Sequence, residues 1–439
     1  MFKKIEIWIV LLILLFFFIG TILFGTLILY HHAGGDKFPK IQRLAVFLAE
    51  IPYVVKKTIY PVQSFEKNNN LPRFKRFIKT KRNALLILPR YDGDLKRSIV
   101  EIIDINNFKV LHTYKHNINE MNNLIDVSNV EHERVKIDDA PNRFEYRHSL
   151  VLDDVSLIAN SNSAPLFKID ICSNLIWINQ EERFHHSKML HNDGSIWVPS
   201  QMFPYSGFVK QYKKDFGFLD DAITKLDENG NILFIKSVSE ILSENKIVSE
   251  TLFIVNDPIH LNDIEPAFKT TKYWNEGDLF LSLKNQSAIM HYRPSTNKVV
   301  NYIKGPFYQQ HDIDIISEKK ISIFNNNNSI LKNNKFSEIL IYNFETKSFS
   351  KKFNHGLESA NFKTVSQGLS EFLKDGSLLV EEQNYGRLIL FNNNGEKEWE
   401  YVNKDSKGNV YFVSWARIIE DDQRINKIKN KIKSVKCSN

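Results

Sequence analysis

Cysteine is almost absent from this chain: 439 residues carry two, Cys172 and Cys437. That excludes a disulfide-stapled small scaffold, and without a Cys-x-x-Cys pair it removes thiol redox and zinc-ribbon chemistry. The two lie far apart in sequence, and nothing in the sequence decides whether they pair. Also missing are a phosphate-cradling glycine loop, a Gly-x-Ser-x-Gly elbow and a His-Glu-x-x-His pair. Nucleotide-dependent, serine-hydrolase and zinc-protease chemistry lose their main support with them. No run of Pro, Gly and Ser divides the chain after residue 95, which argues against two separate sandwiches.

What is present is repetition. An alternating apolar strand, a turn rich in Asp, Asn or Gly, and a second strand recur near positions 104, 170, 227, 293, 344 and 392. Alternation interrupted by turn residues is the signal of a hairpin. A second phrase recurs between them, as in Leu150–Ile158, Met189–Trp197 and Phe372–Leu379. Repeats of this size holding several short strands are β-propeller blades. We therefore expect an all-β, six-bladed propeller over residues 81–423, and 43% hydrophobic residues suffice for its core.

The N-terminus is a different element. Ile5 to Tyr30 is 26 residues of nearly unbroken Ile, Leu, Val and Phe with no charge after Glu6. About 20 residues cross a bilayer, whereas the apolar run of a cleaved signal is roughly 7 to 15. Residues 1–35 are accordingly read as an uncleaved signal anchor holding a single-pass protein in the inner membrane. Lysines and arginines flank the span equally, so charge does not orient it.

Charge is unevenly spread. Of the net +7, residues 1–100 carry +11 and the stretch 424–439 carries +6, which leaves −10 on the repeats. A body of that sign repels phosphate, so nucleic acid is not an expected partner. Residues 36–80 read as a basic membrane-proximal linker and 424–439 as a basic tail. Within the linker, Arg73–Arg82 suits anionic head groups, and Ile41–Lys57 suits a short interfacial helix.

Histidines mark the expected site. They open successive apolar runs in Phe184-His-His-Ser187, Asp257-Pro-Ile-His-Leu-Asn-Asp-Ile264 and Gly305-Pro-Phe-Tyr-Gln-Gln-His-Asp312. A recurring histidine at the start of a blade implies one polar cluster assembled from several repeats. His148, His191, His291 and His355 are assigned to turns or the surface, and Asn325–Asn328 to an exposed loop. Asp263, Asp312 and Asp314 are conceivable metal ligands, but no close ligand spacing supports this and no metal is expected.

Four ordered motifs carry a resemblance: Asp257–Glu265, Leu281–Ile289, Gln310–Ile315 and Glu381–Arg387. Together they resemble the bacterial arylsulfotransferase family over roughly residues 95–420. The resemblance implies a six-bladed propeller outside the cytoplasm that moves a sulfuryl group from an aryl sulfate donor to a phenolic acceptor. It implies no cofactor, because phosphoadenosine phosphosulfate is not used. It makes His311 the residue that takes the sulfuryl group, with His260, Asn262 and His186 beside it. Lys284 stands where an arginine is expected, which keeps the charge but loses the bidentate fork. His185, Tyr385 and Arg387 are expected to contact substrate. A non-catalytic, membrane-anchored propeller that binds a ligand or protein through its funnel remains the alternative, because the fold alone does not specify chemistry.

Overall fold

A computed structural model describes residues 6–32, 38–59, 64–128, 135, 139–161, 164–212, 218–247, 256–327 and 336–437. Ile5 and Asn328, named above, lie outside the described residues. Each of the six predicted hairpins is the outer strand pair of one antiparallel sheet, and six such sheets form a propeller. Blade 2 is Arg147–Val151, Leu157–Asn160, Leu166–Ile169 and Leu175–Asn179. Blade 3 is Met189–Leu190, Ile196–Gln201, Asp221–Leu226 and Ile232–Ser237, and blade 4 is Leu261–Pro266, Leu279–Leu283, Ala288–Arg293 and Lys298–Ile303. Blade 5 is Ile313–Ser317, Lys320–Asn325, Glu338–Asn343 and Ser348–Ser350. Blade 6 is Leu369–Phe372, Leu378–Glu382, Arg387–Phe391 and Lys397–Val402. Blade 1 closes the ring: Leu85–Asp92, Arg97–Asp104 and Lys109–Tyr114 receive their innermost strand, Arg417–Ile419, from the far end of the chain.

The core lies between blades. Six apolar clusters each fill the space between two neighbours, such as Phe280 and Ile289 of blade 4 against Ile321 and Leu340 of blade 5. Because both faces of the blade are covered, the inner strand Leu261–Pro266 is buried at every position.

Three segments depart from the expected boundaries. Phe74–Arg76, placed by sequence in a lipid-facing linker, is a fifth strand on the outer edge of blade 6. Arg82 is likewise committed to the propeller, pairing with Glu398 and Asp375 at 2.7 Å each. The basic stretch from Arg424 is a helix, Asp422–Ser434, rather than a loose tail, and its N-cap Asp421 accepts the Arg424 N–H. Ile425 and Ile428 on its inner face are fully buried in the cluster between blades 1 and 2. Cys437, just beyond, forms a disulfide with Cys172 in the outer turn of blade 2. Asn325 and Asn326 are also corrected, since both are buried: Asn325 bonds Glu338, and Asn326 bonds the carbonyls of Thr364 and Gln367.

Ahead of the propeller, Ile7–His32 is one helix, and Ile7–Ile28 within it is long and apolar enough to cross a membrane. A second helix, Pro39–Ile59, exposes Ile41, Leu44, Phe47, Leu48, Ile51 and Val55.

The docked C-terminal helix gives a first test. Ile428→Ala should destabilise the full-length protein in detergent by about 2–4 kcal/mol, the cost of truncating a fully buried aliphatic side chain. Equilibrium denaturation measures this, and a loss below ~0.5 kcal/mol, as for a surface substitution, would show the helix to be undocked.

Candidate active site

In every blade a left-handed residue stands at or just before the inner strand. These are Trp415 (φ 63°) in blade 1, His148 (42°) in blade 2, His186 (51°) in blade 3, His260 (53°) in blade 4, Gln309 (54°) in blade 5 and Gln367 (62°) in blade 6. Non-glycine residues enter this region at a cost of about 1–3 kcal/mol each, and such strain gathers at functional sites. Here it bends six turns toward the axis, and three of them present histidine.

The result is a cluster. The His186 ring lies 5.3 Å from His311, 5.6 Å from His260 and 5.5 Å from His148. His148 is 6.2 Å from His311, and Trp415 is 3.9 Å from His148 and 5.6 Å from His311. A cavity of about 300 Å³ opens beside them, lined by Arg147, His148, Asn160, His185, His186 and His260 among others.

His311 is held on both sides. Gln310 receives the Asn262 Nδ2 donor on its carbonyl at 3.0 Å and donates its own amide to the Ala288 carbonyl at 2.9 Å. Asp312 accepts the Ser370 N–H of the next blade at 2.8 Å. Within this clamp the imidazole is 2% exposed, and its Nδ1 has no hydrogen-bond partner among the described residues. Burial, then the charges of His260, Lys284 and Arg147, push its pKa well below the ordinary value, so the ring is neutral at pH 7. Burial and its neighbour His185 do the same to His186.

His260 belongs to a charge-linked row. Its Nδ1 is 2.6 Å from Asp257 Oδ2, and Lys284 Nζ lies 3.4 Å from its Nε2. Burial opposes the Asp257 carboxylate, but the His260 hydrogen bond and the charges of His260 and Lys284 hold its pKa below the usual value. Burial lowers that of Lys284. His185 contacts His186 Nδ1 to Nδ1 at 2.8 Å, with Asp221 3.4 Å from its other nitrogen.

The structure thus brings together His185, His186, His260, Asn262, Lys284 and His311. It does not bring Arg387 or Tyr385 to the cavity. The Arg387 guanidinium is taken up by Glu382 (2.6 Å), Glu400 (3.1 Å) and the Ala360 carbonyl. Tyr385 packs against Phe65 beneath the Lys67 ammonium. Asp263 and Asp312, weighed above as metal ligands, accept backbone N–H groups of the following blade.

His148 was missed. It is 1% exposed and lines the cavity rather than the surface. The signal lies in the repeat: Arg147-His-Ser149 precedes Leu150–Ile158 much as Phe184-His-His-Ser187 precedes Met189–Trp197. His291 is also buried, bonded to Asp278 at 2.8 Å, but in the body of blade 4 away from the cluster.

Fold and site define a propeller with an axial histidine centre. The sequence profile of the arylsulfotransferase (ASST) family matches residues 148–404, and the chain belongs to that family. Its function is arylsulfotransferase-like in that general sense, and the family implies an aryl sulfate as donor and a phenol as acceptor in general. Among curated proteins none matches. Among solved structures, a protein of unknown function from Bacteroides caccae is similar at 10% identity and TM-score 0.49, over 77% of this chain and all of that one. Virginiamycin B lyase from Staphylococcus aureus is similar at 12% identity and TM-score 0.35, over 58% of this chain and 69% of that one. Likeness this distant says nothing about chemistry.

The inner strands also carry wholly or partly buried acids, and the half-buried Glu371 yields a pH test. Burial pushes Glu371 up to about 7, whereas in the unfolded chain it ionises near ~4.3. The folded state keeps a proton that the unfolded chain has released, so this group's contribution to stability falls as pH rises from about 4.3 toward about 7. Chemical denaturation across that window should show the decline, and Glu371→Gln should flatten it by up to ~1.4 kcal/mol per pH unit. An unchanged slope would refute the assignment.

Proposed function

We propose that the protein is a membrane-anchored sulfuryltransferase that works through a sulfohistidine on His311. The observation that carries this is a set of buried polar atoms left without partners among the described residues, three lining one cavity and the fourth, on His311, beside it. They are His311 Nδ1, His148 Nδ1, Arg147 Nε and Asn160 Oδ1. An unsatisfied buried polar atom costs roughly 1–3 kcal/mol, so gathering several at one place favours a polar ligand there.

A neutral imidazole with an open lone pair is a competent nucleophile. As its Nδ1 forms a bond to sulfur, the sulfur–oxygen bond to the aryl group breaks and a phenolate departs. The acceptor oxygen then attacks the same sulfur, and the electron pair of the nitrogen–sulfur bond returns to His311. During both steps charge sits on three peripheral oxygens, where Lys284, His186 and His260 supply a cation and donors. Asn262 acts one step removed, since its amide is spent on the Gln310 carbonyl and thereby positions His311. His185 orients His186 and lines the donor's approach.

The propeller is assigned to the non-cytoplasmic side, tethered through the inner membrane by the N-terminal helix. The Cys172–Cys437 disulfide supports this, because such bonds persist in oxidising compartments. In spheroplasts, added protease should degrade the propeller without lysis; protection until lysis sinks the topology.

The chemical test is incubation with p-nitrophenyl sulfate and a phenol, with mass spectrometry of the histidine peptides. A sulfo-adduct on His311 is expected, and His311→Ala should abolish transfer while the far-ultraviolet spectrum stays native. Lys284→Arg should preserve or raise the rate, because a guanidinium matches an oxygen pair better than an ammonium. Wild-type transfer by His311→Ala would refute the sulfohistidine at His311, and absence of transfer by the unaltered protein would replace the enzymatic reading with a binding scaffold.

A further inference from the structure

His148 has no part in the reaction as written, yet no other unassigned side chain is as well placed. It lines the cavity beside His186 and His311 while only 1% exposed, in a strained left-handed conformation. Its Nδ1 has no partner among the described residues. The neighbouring histidines are engaged, His186 with His185 and His260 with both Asp257 and Lys284.

We infer that His148 is a further catalytic residue, the base that takes the acceptor's hydroxyl proton and the acid that returns it to a departing phenolate. This rests on the sulfohistidine reading above. The reaction needs such a group, because a phenol must lose its proton to attack sulfur and a phenolate of high basicity leaves poorly without one. The groups facing His148 suit a shuttle. Burial, then Lys188, His311, Arg147 and Arg417, keep the ring neutral and able to accept. Trp415 lies 3.9 Å away at 38°, and an aromatic face stabilises the imidazolium once formed. Lys188 fixes the position, donating to the carbonyls of Arg147 and His186 and so joining the two histidine turns. The balance closes. The acceptor O–H proton moves to His148 as the oxygen–sulfur bond forms and the nitrogen–sulfur bond breaks. In the next cycle the proton passes to the phenolate released as His311 is sulfurylated, with no net proton change.

The test uses full-length His148→Gln, with His148→Asn in parallel should the first not fold. The donor is p-nitrophenyl sulfate, whose phenolate leaves unaided, and the acceptors are phenols of graded pKa. The His311 adduct should form with less than a ~10-fold loss, while transfer to weakly acidic phenols falls by ~10²–10⁴. The loss should shrink for acceptors already ionised at the assay pH. Equal loss for every acceptor, or none, overturns the proton-transfer role, since a merely structural defect ignores acceptor pKa. An adduct on His148 itself overturns it too. Absence of the His311 adduct from the wild type overturns the sulfohistidine reading first, and this inference with it.

Discussion

The structure depends on carboxylates that bind the backbone of the next blade. Asp221 accepts the Leu261 N–H, Asp263 that of Ile313, Asp312 that of Ser370, and Glu371 that of Ile418. Glu381 takes both Trp415 and Ala416. These bonds run from blade 3 through 4, 5 and 6 to blade 1, at the depth where each inner strand begins. Apolar packing between blades is non-directional and would tolerate sliding. A carboxyl oxygen that accepts from a specific N–H fixes register, and each such bond contributes about 0.5–1.5 kcal/mol with a neutral acceptor and more with an ionised one. The cost is desolvation, seen in pKa values pushed up to about 6 for Asp263 and about 7 for Glu381.

The histidine centre inherits its geometry from that ring. His311 is followed by Asp312, and Asn262 by Asp263, so each tie fixes a site residue one position away. The left-handed turns do the rest, aiming His148, His186 and His260 at the same axis. Strain at six turns persists because packing between blades on both sides over-determines them.

Sequence made the blades legible because the outer hairpins alternate in polarity around turn-forming residues, as near Asp227 and Asn392. It made His186, His260 and His311 legible because each opens an apolar run. What escaped depends on partners remote in sequence. Phe74–Arg76 is three residues, two of them basic, and only its pairing with Trp399, Glu400 and Tyr401 makes it a strand. The basic segment after Arg424 hides a short apolar face, Ile425 and Ile428, that matters only against blades 1 and 2. Arg387 resembles a ligand for an anion until Glu382 and Glu400 are seen to neutralise it.

The electrostatics of the centre are asymmetric, and this bears on what it binds. Burial holds the pKa values of His148, His186 and His311 well below the ordinary value, while Arg147 and Lys284 stand close enough to His311 to lower its basicity. Lys188 and Arg417 act on His148 in the same sense. A site that resists adding positive charge to its own histidines is one that gains when an anion enters, because the same cations then stabilise the charge that arrives. An aryl sulfate brings its charge on the group to be transferred. Binding and activation therefore draw on the same cations, and a neutral ester of similar shape would be desolvated in this cavity without that return.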